Sequence, residues 1–167
     1  MFSLIRPFFE IAFFKRTPDT LPFGVNYLFW VLSISLLVSC LVMYVANALT
    51  VKHIVLFFSA FLVFAGLLYS FLSFLNKKER FLQTLSASVG ADIAINLSII
   101  PAVYATEVFP ESSISFKLGG TAILLSLAWS VLVLAHILQA ASELKYSDCL
   151  LFSVAINFIM LTLSYYL

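Results

Sequence analysis

The sequence predicts an all-α, polytopic membrane protein: a five-helix transmembrane bundle with a short N-terminal amphipathic segment in front of it. Three observations carry that expectation. Of 167 residues, 63% are hydrophobic and only 10% are charged, whereas a soluble domain carries roughly 25% charged residues. The apolar residues fall into five runs, each meeting the ~20 residues a helix needs to cross hydrocarbon. The links between runs are short, which leaves no room for a separate soluble domain.

Residues 1–25 form an interfacial or cytosolic segment, and 26–167 form the five-span domain. Arg6, Pro7 and Glu10 interrupt the first apolar stretch, and no small-residue cleavage site follows, so it does not read as a secretory signal. Phe2, Ile5, Phe9, Ala12 and Phe13 can share one helical face, which suits a helix lying at the headgroups. Docking of the same segment on the bundle is the other reading. Thr17, Pro18, Asp19 and Pro22 then make a stiff turn.

The spans are expected at 27–47, 54–75, 81–105, 120–141 and 147–166. With the N-terminus inside, seven of the nine basic residues collect on the cytoplasmic side: Arg6, Lys15, Arg16, Lys77, Lys78, Arg80 and Lys145. Lys52 and Lys117 remain opposite. The positive-inside rule therefore places the C-terminus across the membrane, and a bacterial inner membrane is the expected location. Tyr27, Trp30, Tyr104, Tyr165 and Tyr166 fall near span ends, where amphipathic rings are favoured. Pro101 is expected to loosen or bend the outer end of the third span. Cys40 and Cys149 fall at opposite depths, so no disulfide is expected.

Small residues mark close helix approaches. Ser59, Gly66, Ser70 and Ser73 give the second span a small face. Ser86 with Gly90 and Ser126 with Ser130 show small-xxx-small spacing, and Cys149, Ser153 and Asn157 recur every fourth position in the fifth span. The third span, central in this scheme, carries a polar stripe of Thr84, Ser88, Asp92 and Asn96. Hydrocarbon cannot solvate that stripe, so it must face protein or a cavity.

Counting inward from the cytoplasmic ends puts Asp92 and Asn157 at one depth, with His136 about a turn shallower. Gln83 and Gln139 could meet nearer the surface. Spacing therefore groups Asp92, Asn96, His136 and Asn157 as an intramembrane polar cluster. In a functional role the cluster relays protons or binds a cation or headgroup. In a structural role it holds helices in register. The structural role is favoured, because a pathway usually needs several ionisable groups in series and the spans supply one acid and one histidine.

Enzymatic chemistry is not expected. HExxH, GxSxG and GxxxxGK[ST] are all missing from the sequence, and no carboxylate pair lies within the spans. Catalytic, cofactor and metal sites are thus expected to be absent, as are basic stripes for nucleic acid. The expected partners are the lipid bilayer and other membrane subunits. Lys77, Lys78, Glu79 and Arg80 read as a solvated turn that fixes topology.

KRTPDTLP before the first span, ERFLQTLSASVGADIAINLSIIP at the third and AWSVLVLAHILQAA in the fourth resemble the Yip1-type membrane proteins in their short bacterial form. The resemblance implies a five-helix bundle, a cytosolic N-terminus and a non-enzymatic adaptor role. Eukaryotic members associate with small GTPases and trafficking machinery through a long N-terminal region that is largely missing here. The role expected of this chain is that of a non-catalytic adaptor or assembly subunit in a larger inner-membrane complex, such as a secretion or transport machine. The alternative is a small oligomeric transporter or ion- or proton-conducting channel built around Asp92.

Overall fold

A computed structural model describes residues 2–22 and 24–166, with the side chains of 2–5 and 164–166 outside the description. Its helices are α1 (Phe2–Ala12), α2 (Val25–Val45), α3 (Val51–Phe74), α4 (Phe81–Val108), α5 (Ile114–Ser142) and α6 (Tyr146–Tyr166). The described residues contain no strand. Five helices, α2 to α6, are long and apolar enough to cross a membrane. Short 3-10 turns at Pro18–Thr20 and Lys78–Arg80 lead into α2 and α4.

Sequence and structure agree on the spans to within three residues, except at the outer end of α5, which starts six residues earlier than 120. Pro101 lies inside α4, which continues to Val108. The outer loop shrinks accordingly. Ser113 opens α5 as its N-cap, accepting a hydrogen bond from Phe116 N at 3.1 Å. At the opposite ends α1, α2 and α3 close with left-handed residues, Phe14, Asn47 and Asn76. Lys15 N, Ala48 N and Lys77 N bond back to the carbonyls of Glu10, Met43 and Leu72, completing Schellman caps. Asn tolerates that conformation readily; Phe14 does not, and its ring packs edge-on to His136 at 5.4 Å.

α4 is the hub. Half of its apolar window is buried inside the protein, against 6% for α3. It packs along α2 on one side and α5 on the other, and α6 packs against α5. α3 is peripheral. It reaches α6 and α4 mainly through its last turns, where Leu68 and Leu72 are buried and Phe71 stacks on Phe152 at 4.0 Å. α2 and α3 scarcely touch. The expected small face of α3 is left uncovered: nothing lies within 4 Å of a Cβ placed on Gly66, and Ser70 is exposed.

α1 docks on the bundle, sharing one core with the spans. Its buried face is Phe8, Ile11 and Ala12, one step around from the face expected from the sequence. Phe13 is 55% exposed, Phe9 is half-buried, and the side chains of Phe2 and Ile5 lie outside the described residues. The correction has a steric cause. The Ser86–Gly90 notch on α4 receives a side chain of α1, not the backbone of another span: Phe8 lies directly over Gly90. The Trp129 indole N–H donates to the Ala12 carbonyl at 2.9 Å, tying the end of α1 to α5. Gly90 sits nine residues into α4, about 14 Å from its start, so α1 reaches well below the headgroup level. Its acid is covered there, because Glu10 accepts from Arg6 at 2.8 Å and from Arg16 at 3.4 Å.

The turns on the α1 side of the bundle are also tied together. Arg80 donates to the Ala140 and Ala141 carbonyls at the end of α5, 3.2 Å each, and pairs with Glu143 at 2.7 Å; Lys77 pairs with Glu143 at 2.9 Å. Free carbonyls and the negative end of the helix dipole both favour cations at this place. The turn at 77–80 therefore clasps the α5–α6 turn, a tertiary role the sequence did not reveal. Both cysteines are free, Cys149 buried beside Ser142.

Candidate functional site: an intramembrane polar crevice

Helices α2 to α6 all contribute to one cavity of about 240 Å³. Its polar lining comprises Ser35 of α2, Ser88 and Asp92 of α4, Ser130 of α5 and Asn157 of α6; Phe64 of α3 closes one side. Each of these, Ser88 apart, stands ten to twelve residues from the end of its helix on the α1 side. At 1.5 Å per residue they share a level about 15–18 Å in, the middle of a bilayer. Ser88 is one turn shallower.

The stripe on α4 divides in two. In its first half Thr84 and Ser88 are buried and satisfy themselves locally, donating to the Arg80 carbonyl at 2.7 Å and the Thr84 carbonyl at 2.9 Å. In its second half Asp92 and Asn96 pair with each other, Asn96 Nδ2 donating to Asp92 Oδ2 at 2.9 Å. Asp92 is crowded by protein and yet exposed, the geometry of a crevice floor that opens to the outside of the bundle.

The Cys149–Ser153–Asn157 stripe, expected to be a close-approach face, forms the seam with α5. Ser153 Oγ donates to the Val131 carbonyl at 2.7 Å. Ser130 Oγ donates to Asn157 Oδ1 at 3.3 Å, and Asn157 Nδ2 donates to the Ser153 carbonyl at 3.0 Å. Asn157 is thereby held by its own seam and fixes one wall.

Of the four residues grouped by spacing, the structure brings Asp92, Asn96 and Asn157 to one region and separates His136 from them. His136 has the expected depth but a different azimuth: it faces α1, against Phe14, and its Nε2 is buried with no hydrogen-bond partner among the described residues. Gln83 does not meet Gln139; its Nε2 donates to the Leu21 carbonyl at 3.0 Å, fastening the entry to α2. Ser35 was missed, although with Ser39 it has the small-xxx-small spacing that could have found it. It is 3% exposed and lines the same cavity as Asp92. Among the described residues no group of three or more His, Cys, Asp or Glu side chains is placed to hold a metal.

No family model matches the chain, and no curated protein or solved structure is significantly similar to it.

Proposed function

We propose that this protein is a non-catalytic adaptor or assembly subunit of a larger inner-membrane complex, binding other membrane proteins through the side that α3 leaves open. The observation that supports this reading is the incomplete closure of the bundle. With 6% of its apolar window buried, α3 is held mainly through its second half, and the polar crevice beside it stays open at mid-membrane. Burying such groups in a protein interface removes them from lipid, where nothing pairs with them. Kinship with the Yip1-type proteins is part of the same proposal and fits the five-span layout.

Purification from native membranes in mild detergent tests the proposal. The expected result is a stable complex with unrelated membrane proteins. A lone homo-oligomer that conducts protons or ions in liposomes overturns it in favour of a transporter built around Asp92.

A further inference from the structure

We propose that the crevice is the seat of a lysine or arginine side chain carried mid-span by a transmembrane helix of the partner; this rests on the adaptor reading and names what the adaptor recognises. The first argument is charge. A carboxylate accepts up to about four hydrogen bonds, and among the described residues Asp92 receives one, from Asn96 on Oδ2. The hydroxyl of the buried Ser35, in the same lining, makes none among the described residues.

The chain supplies no cation of its own at this level. Its lysines and arginines lie in α1, in the turns or in the first turns of α3 and α5, and His136 faces α1. An intramembrane acid is stabilised by an opposite charge brought to it. The second argument is shape. Around the polar floor the walls are apolar, with Phe64, Ile95 and Met160 among them. Such walls suit the methylene stem of a long basic side chain whose head reaches the carboxylate. α2 and α3 both line the crevice yet scarcely touch each other, so the approach is lateral, from a neighbouring helix.

The test uses the full chain in phosphatidylcholine vesicles and a designed Leu/Ala transmembrane peptide of about 21 residues with one central lysine. A leucine-centred peptide is the control, and association is read by energy transfer in sodium-free buffer. The lysine peptide is expected to bind about tenfold more tightly than the control. Asp92→Asn, nearly isosteric, should abolish that preference, while Asp92→Glu retains it. Equal binding of the two peptides, or a preference that survives in Asp92→Asn, overturns the proposal. So does displacement of the lysine peptide by sodium ions at ordinary ionic strength, which identifies the crevice as a small-cation site. The adaptor reading fails separately: a native complex insensitive to Asp92→Asn sinks the lysine seat and leaves the adaptor intact, whereas a lone conducting homo-oligomer sinks both.

Discussion

Replacing Gly90 by alanine should unseat α1. A Cβ at this position falls 2.7 Å from Phe8 Cγ and closer still to Cδ1 and Cε1. These are the root and near edge of the ring, so no flexible tip can bend away, and either the ring must leave its rotamer or α1 must lift. Overpacking of this kind costs about 1–3 kcal/mol. Lifting α1 breaks the Trp129–Ala12 hydrogen bond in either chain, so the overpacking alone sets the difference. The undocked population should therefore rise by about one to two orders of magnitude.

Trp129 is the natural reporter, since the chain has two tryptophans and Trp30, 71% exposed at the start of α2, can be changed to phenylalanine. In that background Gly90→Ala should shift Trp129 emission to the blue as the indole loses its acceptor and faces hydrocarbon. It should also open the 1–25 segment to added protease. Phe8→Ala in the same chain removes the obstructing ring, so the double variant should behave like Phe8→Ala alone, a coupling that a double-mutant cycle measures. Unchanged emission and protection in Gly90→Ala would refute the close approach.

Three further outcomes follow from other parts of the fold. The hydrogen bond and charge of Lys77, with the charge of Arg80, hold the Glu143 carboxyl below its ordinary value of 4.5; a depressed native pKa gives stability that is full above the unfolded value and lost as pH falls through the native one. Thermal midpoints in detergent should thus decline below about pH 4.5, and Glu143→Gln should flatten that decline while lowering the midpoint at neutral pH. Gly119→Ala places a Cβ 2.7 Å from the Ala102 backbone oxygen, so the outer ends of α4 and α5 must part; a loss of about 1–3 kcal/mol should appear as a lower midpoint, and an unchanged one contradicts the packing. His136→Phe removes a buried, unpartnered nitrogen and keeps the edge contact with Phe14; it should raise stability by about 1 kcal/mol, measured the same way.

The spans were legible because length and apolarity are one-dimensional properties. Which side each helix turns inward was legible only where polar or small groups are in fact packed. Ser153 and Asn157 announced the α5–α6 seam, and the α4 stripe announced a cavity, since neither can be left in hydrocarbon. Elsewhere contrast fails, because lipid-facing and core-facing positions are equally apolar. Ser59, Gly66 and Ser70 look like a packing face and are not used as one. In α1, phenylalanines at 8, 9, 13 and 14 permit several faces, and the choice among them depends on a notch at Gly90, far away in the chain. Depth counting placed His136 correctly along its helix but carried no information on azimuth, so its neighbour proved to be Phe14 and not Asp92.

The ties in this molecule are unevenly distributed. Arg80 and Lys77 on Glu143, Gln83 on Leu21 and Trp129 on Ala12 all act in one half of its height, while in the other half α3 keeps few internal contacts. A body pinned like this yields first along α3, whose first half lies away from the clasped turns and is tied to α2 only by residues 46–50. Outward movement of α3 there costs few internal contacts, and a guest helix can settle beside the crevice without unpicking the clasp.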